Sequence, residues 1–163
     1  PPPTRWYTPY WHEKFAPVIL VNSDNAYKVS AAETIAEALQ AAGIGATVNA
    51  LPYEDYMRAL ERGNFDIYYG ETRLTPDFDI RPLVAKDGAL NYGNFDNEEF
   101  EATLTASRAA EDKTAFYQTF SETLPVIPLA FERSQVVTRA GLMHNFEPYP
   151  YQLFAGVQNW EAR

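Results

Sequence analysis

The sequence predicts an α/β fold, a mainly parallel or mixed sheet flanked by helices, and three observations carry that expectation. Short apolar runs alternate with amphipathic segments in the order β-α-β-α-β from Val18 to Tyr69. The links between them are short, so each helix serves as a right-handed crossover between parallel strands. Gly43 and Gly63 stand where the two helices should stop.

The elements follow in order. Val18-Ile-Leu-Val21 is an all-apolar run, as expected of a strand covered on both faces. Asn22 to Lys28 reads as a polar loop. Ser30-x-x-Glu33 is a capping box, in which hydroxyl and carboxylate satisfy free amides at a helix start. It predicts a helix with Ile35, Ala38, Leu39 and Ala42 on one face. Ile44 to Leu51 is the next strand, with Ile44, Ala46, Val48 and Ala50 alternating. After Pro52 comes a helix with Tyr53, Tyr56, Met57 and Leu60 on one face, and Phe65 to Tyr69 is the third strand.

The second half reads differently. Pro76 and Pro82 keep any helix in Leu74–Lys86 short. Asp96 or Asn97 caps a helix running to about Ala109, with Phe100, Thr103, Leu104 and Ser107 inward. A further helix from Glu111 to Leu124 places Phe116, Phe120 and Leu124 in register before Pro125 stops it. Val126–Glu132 and Gln135–Thr138 read as two β-rich runs joined by a tight link. The expected organisation is a connector or arm over 1–17, an α/β body over 18–140 and a Pro/aromatic-rich tail over 141–163.

Composition narrows the function. The net charge of −9, from 22 acidic and 13 basic residues with no basic cluster, opposes nucleic-acid binding. Without cysteine there is no disulfide, thiolate metal site or cysteine nucleophile. No stretch reaches the roughly 20 apolar residues that span a bilayer. The chain opens on Pro1 with no charged-then-apolar signal region, which reads as a processed or excised piece of something longer. Aromatic residues make up 15%, led by tyrosine, a residue suited to cores and to gripping surfaces alike.

The loop from Gly70 to Asp79 is the leading site candidate. Ligands of parallel sheets sit beyond the carboxyl ends of the strands, and this loop leaves the third strand. It gathers Glu71, Arg73, Thr75, Asp77 and Asp79. Arg73 offers a planar fork for a ligand carboxylate, or for an internal pair with Glu71 or Asp77. Asp77 and Asp79 are too few for a cation cage and suit helix capping better. Tyr68, Tyr69 and Tyr92 are placed to stack on a ligand or to pack internally, and Asn91–Asn94 to form a second cleft loop or a plain turn. His12 and His144 are too far apart in sequence to assign a metal site, and Gly43-x-Gly45 follows a helix rather than a strand, which excludes a nucleotide-binding loop. With no nucleophile elbow, zincin motif or supported nucleophile–base pair, no catalytic residue, metal or cofactor is expected, and neither is an enzyme.

Four stretches together resemble the peptide/nickel-type (family 5) extracellular solute-binding proteins of ABC importers, in their carboxy-terminal part. Ala32–Ile44 (AETIAEALQAAGI) is similar to the family's amphipathic helix ending in Gly-Ile before a strand, and Tyr56–Tyr68 (YMRALERGNFDIY) to its tyrosine, leucine, Gly-x-Phe-Asp run. Phe95–Leu104 (FDNEEFEATL) resembles the Asn-centred opening of the next helix, with Glu98 where the family favours proline. Leu124–Phe131 (LPVIPLAF) resembles the Pro-x-Ile-Pro-Leu strand, and Trp160 fits the family's close. The resemblance implies one lobe of a two-lobed, periplasmic-binding-protein-like clamp that delivers oligopeptides or a similar small solute to an ABC permease. It also implies a partner lobe before Pro1 and an extracytoplasmic location, as a bacterial cell-surface lipoprotein or in the periplasm. An extracellular sensor or interaction domain reusing the lobe without transport is the alternative. Peptide-binding members carry a Trp and an Asp in the loop after the Phe-Asp strand. Here Glu71 and Leu74 stand near those positions, so these contacts do not carry over. The expected ligand-binding residues are Arg73, Glu71, Thr75, Asp77, Tyr69 and Tyr92.

Overall fold

The computed structural model describes residues 15–75, 77–131, 137, 139–145, 149, 152 and 154–162. Its first half is the expected βαβαβ run: β1 (Val18–Asn22), α1 (Ala26–Ala41), β2 (Thr47–Leu51), α2 (Tyr53–Glu61) and β3 (Ile67–Tyr69). The strands form a sheet in the order β2-β1-β3, with both pairings parallel. Ile19 stands opposite Val48 on one side and Ile67 on the other.

The central strand explains the layering. Successive residues of a strand face opposite ways. Ile19 and Val21 pack with Ala32 and Ala36 of α1, and Leu20 packs with Tyr56, Ala59 and Leu60 of α2. The two helices therefore cover opposite faces of the sheet, and β1 is buried on both, as its unbroken apolar run requires.

Helix α1 begins four residues before the capping box. Asn25 is its N-cap, with a side chain that accepts from the amides of Tyr27 at 3.0 Å and Lys28 at 3.3 Å. Those bonds satisfy free donors at the helix start, so Asn25 takes the role expected of Ser30. The inward stripe also differs from the expected one: Val29, Ala32, Ile35, Ala36 and Leu39 pack against the sheet, while Ala38 and Ala42 are exposed. The expected stop holds, because Gly43 adopts φ +88°, a left-handed conformation open to glycine at no steric cost. After β3, the short helix in the proline-bearing segment is α3 (Arg81–Val84).

The chain divides into two compact units, one comprising Pro1–Arg73 with Arg81–Asn97, the other Leu74–Ile80 with Glu98–Arg163. The second contains α4 (Glu98–Ser107), α5 (Thr114–Thr123) and the two-residue strands β4 (Met143–His144) and β5 (Glu161–Ala162), which pair antiparallel. Phe100 is fully buried there, with the rings of Phe116 and Phe120 at 5.9 and 6.2 Å. Leu124 departs from its expected inward place: it ends α5 in the left-handed region and is exposed.

No strand forms over 126–131, contrary to expectation. Pro128 has no amide to give a ladder, and Ile127, Leu129 and Phe131 are exposed. Glu132 and most of Gln135–Thr138 lie outside the described residues, as does the arm before Phe15. Among the described residues, no helix is long and apolar enough to cross a membrane.

Candidate functional site

The three parallel strands end at one edge, and their order marks one place on it. From β1 the chain runs through α1 to β2, then through α2 back past β1 to β3. The strand order therefore reverses between β1 and β3. A crevice opens beyond the carboxyl ends of two such neighbours, which is where open α/β sheets bind ligands.

The loop after β1 is braced at this edge. Asn22 accepts from the amide of Asp24 at 3.0 Å, and the Asp24 carboxylate accepts from the amide of Tyr53 at 3.2 Å. The amide of Ser23 donates to the carbonyl of Leu51 at 2.8 Å, so the ends of β1 and β2 are held together. Across the β1/β3 boundary, Lys28 Nζ lies 2.7 Å from Glu71 Oε1. The Lys28 side chain is only 14% exposed, against 66% for Glu71. Tyr27 and Tyr53, at the starts of α1 and α2, are 89% and 55% exposed.

Below this edge lies a tyrosine cluster. The Tyr56 hydroxyl donates to the carbonyl of Tyr69 at 3.1 Å. Burial, assisted by Tyr68, Tyr92, Glu71 and Tyr53, pushes the Tyr56 phenol up to about 12. Burial and the neighbouring Tyr92 also raise Tyr68. The Tyr68 and Tyr92 rings meet edge to face at 6.1 Å. A Cβ at Gly70 would come within 3.0 Å of the Tyr68 ring and 3.4 Å of the Tyr56 hydroxyl, so glycine lets the chain leave β3 close to these rings.

The expected ligand residues do not gather at one point. Glu71 and Arg73 belong to the first unit, whereas Thr75, Asp77 and Asp79 belong to the second. Glu71 pairs with Lys28 rather than with Arg73, and Arg73 is exposed with no ion pair among the described residues. In the second unit, the Thr75 hydroxyl accepts from the amide of Asp79 at 3.3 Å, and the amide of Phe78 donates to the Thr75 carbonyl at 2.9 Å. Arg108 stands 3.9 Å from Asp77 and 4.0 Å from Asp79. The Thr75 hydroxyl, the Asp77 backbone amide and, more weakly, Arg108 hold the Asp77 carboxyl below its ordinary range. These contacts form a local turn.

The sheet separates two of the expected tyrosines. Tyr69 packs with the α1-side cluster, and Tyr92 packs with the α2-side cluster beside Tyr68. The 91–94 segment is a turn: the Asn91 amide donates to the carbonyls of Ala85 and Phe95 and its oxygen accepts from the Phe95 amide. This turn lines a cavity of about 360 Å³ with Leu60, Glu61, Arg62 and Gly63, where α2 ends, rather than the edge where it starts. Among the described residues, no cluster of three or more His, Cys, Asp or Glu is placed to hold a metal, and His12 lies outside them.

Sequence reasoning missed Asp24, Tyr27 and Lys28, because the segment after β1 read as a plain polar loop, and Tyr53, because it was placed on the packing face of the second helix. The carboxyl-end rule applied to the third strand holds equally for the first, and Asn25 was the overlooked helix start.

Three solved structures share this architecture. The oligopeptide-binding protein AppA of Bacillus subtilis, solved with a nonapeptide, is similar at 15% identity and TM-score 0.61, over 91% of this chain and 32% of that one. NikZ from Campylobacter jejuni, in complex with Ni(L-His), is similar at 19% identity and TM-score 0.55, over 68% and 25% of the two chains. The murein tripeptide binding protein MppA of Escherichia coli gives 15% identity and TM-score 0.53, over 68% and 24%. The fold is that of the peptide/nickel-type solute-binding proteins. The likeness to this periplasmic-binding-protein-like fold, read from four sequence stretches, thus holds in three dimensions. The chain spans only 24–32% of the length of these three solute-binding structures. AppA and MppA are named as binding proteins. No family model and no curated protein matches the sequence.

Proposed function

We propose that this chain is the ligand-binding lobe of an extracytoplasmic solute-binding protein that delivers an oligopeptide or similar small solute to an ABC importer. The observation that carries the reading is the reversal of strand order at β1/β3. There the shared fold turns a polar, tyrosine-flanked edge outward, at the place where such sheets bind ligands. In this reading a second lobe supplies the other wall of the clamp. Solute touching both walls favours the closed state, which docks on the permease without any covalent step.

Arg73 is proposed as a ligand-reading group, since it follows β3, is exposed and has no ion pair among the described residues. Arg73→Ala in the full-length protein should cost on the order of 2–5 kcal/mol of affinity if the guanidinium meets a desolvated ligand carboxylate, with the melting temperature unchanged. Unchanged affinity with a lowered melting temperature assigns Arg73 to structure instead.

The deciding experiment is mass spectrometry of small molecules that co-purify with the full-length protein, followed by small-angle scattering with and without the recovered solute. Compaction on rebinding supports the clamp. A solute that rebinds without compaction, or that is chemically converted, overturns it. One wall buries little of a ligand, so calorimetry on this chain alone should show no sub-micromolar binding of that solute.

A further inference from the structure

We infer that Glu71 is an internal stand-in for a ligand carboxylate: it occupies the Lys28 ammonium at the β1/β3 crevice until an anionic ligand group takes its place. The inference rests on the solute-binding reading and adds a ligand class, solutes bearing a free carboxylate.

The asymmetry of the pair motivates it. Lys28 is 14% exposed and Glu71 is 66% exposed, at 2.7 Å. With so little of the Lys28 side chain exposed, few waters can reach it and its charge leans on the carboxylate beside it. The exposed carboxylate is still largely hydrated and loses little by turning outward. Lys28 is held on the first turn of α1, while Glu71 lies in a segment without regular structure, two residues past the end of β3. One partner stands on a helix and the other on an irregular segment, so the exchange moves Glu71 rather than Lys28.

The Lys28 ammonium, rather than the helix end, is the cation available here. Asn25 already accepts from the amides of Tyr27 and Lys28. Exchange of one carboxylate for another leaves the charge around Lys28 unchanged, whereas a neutral or cationic group would strand it. Discrimination therefore comes from the cost imposed on the wrong ligand as much as from attraction to the right one. The exposed rings of Tyr27 and Tyr53 stand at the same edge, ready to cover the apolar body of a ligand whose carboxylate reaches Lys28.

A tethered competitor acts at an effective concentration in the millimolar range. Removing its charge should therefore tighten carboxylate binding about tenfold or more. The test uses the chain labelled with ¹³C-lysine, with Lys28 assigned through Lys28→Met, and follows the Lys28 side-chain resonances by NMR. N-acetylalanine is titrated as the carboxylate probe and N-acetylalaninamide as its neutral control. The acid should shift Lys28 at concentrations at least tenfold lower in Glu71→Gln than in the parent chain, and the amide should shift it in neither. Should Glu71→Gln fail to fold, Glu71→Asp keeps the charge on a shorter arm and should give a smaller gain. A folded variant in which the acid produces no gain, or in which acid and amide act alike, overturns the exchange. The two proposals separate cleanly. Solute binding by the full-length protein that is indifferent to Glu71→Gln overturns the exchange alone. The expected Lys28 response in a protein that retains no solute overturns the import reading and leaves the exchange supported.

Discussion

The unit built on β1, β2 and β3 buries an aliphatic strand between two helices, whereas the unit holding α4 and α5 gathers aromatic rings around Phe100. In the first, Ile19, Leu20 and Val21 are almost wholly inaccessible and divide between two clusters, one under each helix. In the second, α5 contributes no buried residue, and Phe78, Tyr117, Leu124, Ile127, Leu129 and Phe131 are exposed. Both halves have apolar residues in plenty. What differs is the layering: a strand covered on both faces fixes the starts of the two helices, and with them Lys28 and Tyr53. Among the described residues, the ring cluster is built from α4 and α5 and has no strand covered on both faces.

That contrast is most sharply tested by truncating one core residue in each unit. Phe100→Ala should cost about 3–5 kcal/mol and Leu20→Ala about 2–5 kcal/mol, since both side chains are fully buried. Hydrogen exchange separates the effects. Phe100→Ala should strip amide protection from α4 and α5 while β1 keeps its own, and Leu20→Ala should strip it from the sheet. Equal loss across both units under either substitution would break the comparison and make them one cooperative core.

The next effect belongs to the first unit alone. Tyr56 is neutral when folded, and its folded value of about 12 lies above the ordinary 10.0. Its contribution is therefore complete below pH 10 and is lost as pH rises toward 12, the unfolded phenol ionising first. That rise corresponds to about 2–3 kcal/mol. Denaturant titrations at pH 9 and near pH 12 should show that loss, and Tyr56→Phe should reduce it to the part that belongs to Tyr68, at a cost of about 1 kcal/mol at neutral pH for the bond to Tyr69. A pH dependence unchanged in Tyr56→Phe would transfer the effect to another tyrosine.

Gly70 ranks third. Its substitution by alanine places a methyl 3.0 Å from the Tyr68 ring, and Tyr68 is itself packed against Phe65 at 5.1 Å and Tyr92 at 6.1 Å. The ring has little room to give, so Gly70→Ala should destabilise by about 1–3 kcal/mol. Gly93→Ala in the same unit is the control, since a Cβ there meets nothing within 4 Å. Equal melting temperatures for the two variants would show that Tyr68 moves aside freely.

The first unit was far more legible than the second, for physical reasons. Val18–Val21 has no polar residue, so only a doubly covered strand accommodates it, and its two neighbours followed from short links and glycine stops. The apolar face of α4 was equally plain from Phe100 and Leu104. Ile127, Leu129 and Phe131 alternate like a strand, but alternation fixes only which residues share a side. It supplies no partner, and Pro128 removes a donor. At the candidate site, the sequence located Glu71 and the edge it occupies. It did not reveal that the pairing of β1 with β3 brings Lys28 to Glu71, because that contact spans residues far apart in the chain and depends on strand order. Tyr69 and Tyr92 share a residue type, and only the pleat shows that they serve opposite faces.

The smallest predicted effect concerns the start of α1, where two capping signals compete within one stretch. Ser30 and Glu33 match the capping-box pattern, yet Ser30 lies inside the helix, and its backbone carbonyl accepts from the Thr34 hydroxyl at 2.9 Å whatever its side chain. Asn25 makes the two side-chain bonds to free amides. Asn25→Ala should therefore cost about 1 kcal/mol, while Ser30→Ala should be neutral or slightly stabilising, alanine being the better interior helix residue. The second unit sharpens the contrast, because Lys113 at the start of α5 makes no side-chain cap and the amide of Thr114 is served instead by Asp112 at 2.8 Å. Paired melts of Asn25→Ala and Ser30→Ala decide the matter. If Ser30→Ala is the costlier change, α1 starts at the capping box, the segment before it is a loop, and Lys28 loses the rigid footing on which its pairing with Glu71 depends.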